Sequence, residues 1–168
     1  MYARPFINSL DFARNGRRLG GEVQLAELPR ILEMLENPQG ILSYTIQGGV
    51  DMQGTYFLDL SVAGQCRLRC QRCLHGLDHP VRLDTRLLLR DQPSLDALDH
   101  KDAGGEEEDL DSILADAHLD VLDLLEEEIL LSLPIAPKHE FGACKAAGGG
   151  NRHEERHPFE VLAKLKSS

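Results

Sequence analysis

Three of the four cysteines in this chain fall within Cys66-Arg67-Leu68-Arg69-Cys70-Gln71-Arg72-Cys73, interleaved with three arginines. Cys70-x2-Cys73 has the spacing of half a zinc site, because two thiolates about a turn apart both reach a tetrahedral ion at ~2.3 Å. His139-x4-Cys144 offers the other half, so Cys70, Cys73, His139 and Cys144 are the candidate ligands. The plain alternative is a set of ordinary reduced thiols near the surface. A redox role fits less well: catalytic Cys-x2-Cys pairs open a helix whose dipole lowers the first thiol's pKa, whereas this pair follows one strand-like run and precedes another. Cys66 shares the parity of Leu60 and Leu68, which predicts a small buried apolar role. His75 and His79 flank the turn and could substitute as ligands, although exposed turn histidines are the commoner case.

A second chemistry is carried by Arg67, Arg69, Arg72, Arg82 and Arg86, candidates for RNA binding. Arginine's planar fork neutralises phosphates and reads or stacks on bases. The net charge of -10 and pI near 5.1 argue against nucleic acid as a sum, but the charge is polarised: this basic stretch is followed by an acidic one from Asp91 to Leu133 in which Lys101 is the sole base. Aromatics make up 5% of the chain and tryptophan is absent, which argues against a stacking platform of the single-strand-binding type. The plain alternative is a solvated strand face balanced by Glu106 to Asp109. No phosphate-cradling glycine loop, His-Glu-x-x-His or nucleophile elbow is present, so a non-enzymatic role is expected.

The elements that must position these groups read as an α+β domain. Tyr56, Leu58, Leu60 and Val62 alternate with Phe57, Asp59, Ser61 and Ala63, and the parity runs on to Cys70, with Gly64 as the place where a bulge could slip it. Val81 to Leu89 alternates as the return strand. Paired as an antiparallel hairpin, the two put Cys70 and Cys73 at the tip and the arginines on one solvent face, where like charges would repel unless an anionic partner relieved them. Ile41 to Ile46 is a further strand, followed by a turn at Gly48-Gly49 and Asp51. Leu28-Pro29 opens a helix burying Ile31, Leu32 and Leu35. Asp120 caps a helix over Val121 to Leu133 that packs on the sheet through Leu122, Leu125, Ile129 and Leu133, with Glu126, Glu127 and Glu128 partly on its outer face. Tyr2 to Leu10 is read as an edge strand and Asp11 to Gly21 as a polar connection.

Residues 1–147 form the single domain, interrupted by an exposed, partly disordered acidic insertion over 91–116. Gly148 to Gly150 is a linker to a last short helix, 148–168 in all, with His153 and His157 solvated. At 168 residues the chain can bury a real core without staples. Its cysteines, with no apolar leader before Asp11, predict the reducing cytoplasm. No apolar run approaches the ~20 residues of a membrane span.

Three segments together resemble the YceD family, the bacterial large ribosomal RNA subunit accumulation proteins. They are the strand ending in Cys70-Gln71-Arg72-Cys73, the stretch Asp123 to Pro134 with Pro137-Lys138-His139 and Cys144, and the ending Pro158 to Lys166. The insertion over 91–116 is not constrained by the resemblance, and other branches carry several cysteines where this chain has His139 and Cys144. The resemblance implies a factor supporting synthesis, processing or stability of large-subunit (23S) ribosomal RNA, with no enzymatic reaction. Its partner would be the RNA or a pre-ribosomal particle, met through the arginines. The other reading is an acidic module, Glu106 to Asp109 and Glu126 to Glu128, that attracts a basic ribosomal protein.

Overall fold

A computed structural model describes residues 4–99 and 111–144. Its element order is β1 (Phe6–Ile7), α1 (Ser9–Arg14), β2 (Arg18–Gln24), α2 (Pro29–Leu32), β3 (Ile41–Val50), β4 (Tyr56–Arg69), β5 (Gly76–Arg90), α3 (Gln92–Asp99), β6 (Ser112–Leu114), β7 (Leu119–Asp120) and α4 (Val121–Ser132). Five strands form one sheet in the order β2-β3-β4-β5-β6, antiparallel except for β5 with β6, and β1 pairs β7 separately. The α+β architecture, with an antiparallel meander and a packed helix, is the one expected.

The meander has one buried and one solvent face because β3 and β4 alternate, as does β5 up to Leu87, beyond which Leu88 and Leu89 are buried too. Leu42, Ile46, Leu58, Leu60, Leu68 and Leu87 lie in the core with 1% exposure or less. Gly64 pairs with Leu42 on one side and Val81 on the other without a slip, so no bulge forms and the parity set at Leu58 reaches Cys70 intact. Beyond the end of β3, the border of β4 is taken up by Met34 to Glu36: Leu35 bridges Leu68, and Arg69 N donates to Met34 O at 2.9 Å.

Several expectations are corrected. Asp11 to Gly21 is no connection but the end of α1 and much of β2. The Asn8 side chain accepts the Asp11 N–H to start α1, and Phe12 and Ala13 are buried. Gly48-Gly49 continues β3 and does not turn. A Cβ on Gly48 would lie 2.6 Å from Phe12 O, so this glycine lets α1 lie against the sheet. The turn belongs to Asp51, whose Oδ1 accepts the N–H groups of Gln53 and Thr55, both at 2.8 Å. Both flanks of the 91–116 insertion are ordered, as α3 and as β6 on the sheet edge. Glu106 to Asp109, the 148–150 linker and the final helix lie outside the described residues.

The α4 helix starts as expected, with the Asp120 side chain accepting the Leu122 and Asp123 N–H groups. Its acids do not face outward as a set. Glu126 is 2% and Glu128 6% exposed. Glu126 reaches the start of α2, where Oε1 accepts the N–H groups of Arg30 and Ile31 and Oε2 the Arg30 Nε. Four residues cannot stabilise a helix by themselves. This carboxylate, with Pro29 at the first position, satisfies donors that would otherwise be orphaned.

Candidate metal centre and arginine face

The hairpin tip is built by backbone geometry. Cys70, inward by the parity of β4, is fully buried; its N–H donates to His75 O at 2.9 Å while its carbonyl accepts the Leu74 N–H at 2.9 Å. Leu74 closes the turn at φ 61°, a left-handed conformation that a leucine adopts only at a cost of about 1–2 kcal/mol. The loop after α4 is fastened to this tip. Gln71 N donates to Pro137 O at 2.9 Å, and the Arg72 guanidinium donates to the carbonyls of His139 and Glu140.

These contacts bring all four candidate ligands together. The ligand atoms of Cys70, Cys73, His139 and Cys144 lie within 4.8 Å of one another, close enough to hold a metal ion. Cys70 Sγ is 3.8 Å from Cys144 Sγ, and His139 Nδ1 is 3.4 Å from Cys73 Sγ and 3.8 Å from Cys144 Sγ. A tetrahedral ion with metal–sulfur bonds of ~2.3 Å has sulfur–sulfur edges of about 3.8 Å and sulfur–nitrogen edges of about 3.5 Å, so the donor set fits one. The imidazole is oriented for ligation too. Its Nε2 lies 3.0 Å from Gly76 O, a carbonyl that can only accept, so the proton sits there and the Nδ1 lone pair faces the thiols.

Electrostatics favour thiolate at the first cysteine. Burial pushes the Cys70 thiol up, but the backbone N–H groups of Cys73, His139 and Arg72, with the Cys73 thiol, outweigh it and bring the group down to about 5. Cys144 is raised by burial and by its neighbours Cys70 and Cys73, with Arg72 opposing. Cys66 stays apart, buried and pushed up to about 11 by desolvation, in the apolar role its parity implied. His75 and His79 are not in the group.

The arginines divide. Arg67, Arg69, Arg82 and Arg86 do share the solvent face of the hairpin, yet the register prevents the repulsion expected of them. Arg67 lies opposite Asp78, Arg86 opposite Asp59, Arg69 opposite Gly76 and Arg82 opposite Ala63. Arg86 is clamped by Asp59 at 2.6 and 2.8 Å and stacks 3.8 Å over the Phe57 ring. Arg67 bridges Glu36 at 3.2 Å, Arg69 reaches Leu35 O at 3.4 Å, and Arg72 is spent on the loop. Among the described residues Arg82 makes no ion pair. Together with Asp84 it borders a shallow concavity of about 380 Å³ floored by Ser43, Thr45, Ser61 and Ala63. The sequence reading overlooked these small side chains, whose signal is their outward parity on β3 and β4.

The model of the family described as large ribosomal RNA subunit accumulation protein YceD matches residues 58–166. The match starts in β4 and takes in the hairpin tip, α4 and the loop bearing His139 and Cys144, well over half of the chain. The chain belongs to the YceD family. That membership ties it to accumulation of large-subunit ribosomal RNA, and the family's description names no reaction. No curated protein and no solved structure matches the chain. Among the described residues no helix is long and apolar enough to cross a membrane.

Proposed function

We propose that the chain is a non-enzymatic factor that binds large-subunit (23S) ribosomal RNA, free or in a pre-ribosomal particle, through the solvent face of its hairpin, and works in the cytoplasm. The observation that carries this reading is the concavity beside Arg82. Small hydroxylated residues there leave room for a sugar–phosphate backbone, and the Arg82 guanidinium, which makes no ion pair among the described residues although Asp84 lines the same concavity, stands at its edge. Arg67, Arg69 and Arg86, though partnered, keep their charge on the same face, while Arg72 acts indirectly by holding the loop.

The Cys/His group is the brace of this face. Three thiolates and one imidazole in tetrahedral spacing are the donor set of a structural zinc site, and Cys70, Cys73, His139 and Cys144 would hold the ion. Such an ion would join the hairpin tip to the loop after α4. A Cys₃His set fills all four positions, leaving none for a water or substrate, which speaks against a zinc hydrolase. Of the acidic-module alternative, Glu126 is tied to α2 and Glu128 is buried, Glu127 is exposed, and Glu106 to Asp109 lie outside the described residues.

The test is filter binding of large-subunit RNA fragments by the purified protein across a salt series. Arg82→Ala is expected to weaken binding to every bound fragment and to reduce the salt slope by about 1. An unchanged slope would refute the role of this face.

A further inference from the structure

The sheet ends at β2 in an edge that the rest of the described chain leaves open. Leu25 N donates to Gly40 O and Gly48 N to Arg17 O at the two ends of the β2–β3 ladder. Antiparallel pairing alternates, so the odd residues of this strand bond to β3 and the N–H and C=O groups of Arg18, Gly20, Glu22 and Gln24 point away from it. Gln24 N–H is taken by the Glu27 side chain at 3.1 Å. Arg18, Gly20 and Glu22 present theirs at an exposed edge. No lysine, proline or bulge interrupts Arg18–Gln24, and the charges on the strand, Arg18 and Glu22, are of opposite sign.

This edge is complementary to itself. We infer that β2 pairs antiparallel with β2 of a second copy of this chain, about a two-fold axis at Gly20, joining the two sheets into one. In that register Arg18 stands opposite Glu22 of the partner subunit, and Glu22 opposite Arg18 of the partner subunit. The outward-pointing residues of the two strands then form narrow pairs, each exchanging two backbone bonds. A register shifted by one residue would set outward groups against inward ones and make none. Neither Arg18 nor Glu22 has an ion-pair partner among the described residues, and both lie on the solvent face with Gly20. Gly20 on the axis adds no side chain where two backbones approach. Leu19 faces Gly21 of the partner subunit, so its side chain meets no Cβ. The contact is isologous, as a closed dimer requires.

The axis of such a pair runs through the sheet, so the solvent faces of both copies, each with its Arg82, look the same way. The dimer does not depend on what those faces bind.

Sedimentation velocity on the full chain up to about 0.5 mM, with amide hydrogen exchange at low and high concentration, tests the inference. The expected result is a concentration-dependent dimer in which the amides of Arg18, Gly20 and Glu22 become protected as it forms. Glu22→Arg and Arg18→Glu, at exposed positions outside the core, each set like charges opposite one another twice and should weaken association about tenfold, while the double variant restores it. A monomer throughout would overturn the inference. So would a dimer indifferent to these charges, or protection of those amides in a monomer, which would mean that another part of the chain covers the edge.

Discussion

The carboxylate of Glu126, on α4, accepts the backbone N–H of Ile31, on α2, at 3.0 Å and in full burial. Ninety-five positions apart in the chain, the two residues fix one helix to the start of another, and through Ile31 to the core beneath β4. Arg30 adds its own N–H and a guanidinium contact, but that side chain is nearly half exposed and its charge is worth little here.

Removing this acceptor leaves buried donors unpaired. Glu126→Leu is expected to cost about 3 kcal/mol, measured as a shift in the urea midpoint at constant slope. Glu126→Gln keeps one acceptor oxygen and should cost about 1 kcal/mol. Equal losses for the two variants would mean that side-chain volume, not the hydrogen bonds, holds the helices together.

Glu128 predicts a dependence on pH. Burial, then the charges of Asp111 and Glu127, raise its carboxyl above the ordinary 4.5. A raised folded value means that folding favours the protonated acid, so the group destabilises the fold increasingly as pH climbs from the unfolded value through the folded one. Glu128→Gln should therefore be more stable than the native chain at pH 7.5, and the difference should shrink as pH falls towards 4. Paired urea melts at several pH values report it, since other titrating groups cancel between the two proteins. A gap that widens on acidification would reverse the assignment.

The candidate metal centre predicts a linked loss. Protein purified without chelator should carry one zinc per chain by elemental analysis. Cys70→Ser should lower its stability by more than about 2 kcal/mol while metal is present, because binding free energy is folding free energy for such a site. Once both proteins are stripped by a chelator, the gap should nearly close. A native chain with no zinc, and a stability that ignores the chelator, would leave three reduced thiols and one imidazole in a coincidental cluster.

Much of the site could be read from the sequence because it hangs on one strand. From Leu58 to Cys70 the alternation is strict, so inward Cys66, Leu68 and Cys70 and outward Arg67 and Arg69 follow from parity alone. The spacing of His139 and Cys144 after Pro134 pointed to the two residues that the fold brings beside Cys70 and Cys73. What escaped depended on partners distant in sequence. The clamp of Asp59 on Arg86 exists only through the hairpin register, and the repulsion argued for the arginines ignored it. Glu126 looked solvent-facing by its type, although its spacing from Leu122, Ile129 and Leu133 places it on their face of the helix. α1 was lost because six residues carry too little periodicity to announce a helix; its signal was the Asn8 cap.

The central claim, that the solvent face beside Arg82 meets large-subunit ribosomal RNA, is tested most directly in cells. Ultraviolet crosslinking followed by sequencing of the attached RNA would compare the native chain with Arg82→Glu, a change at a side chain that makes no ion pair among the described residues. The account predicts that the native chain enriches a defined region of large-subunit RNA and that the variant, equally abundant and folded, loses that enrichment. Identical crosslinks from both, or none from either, would contradict it.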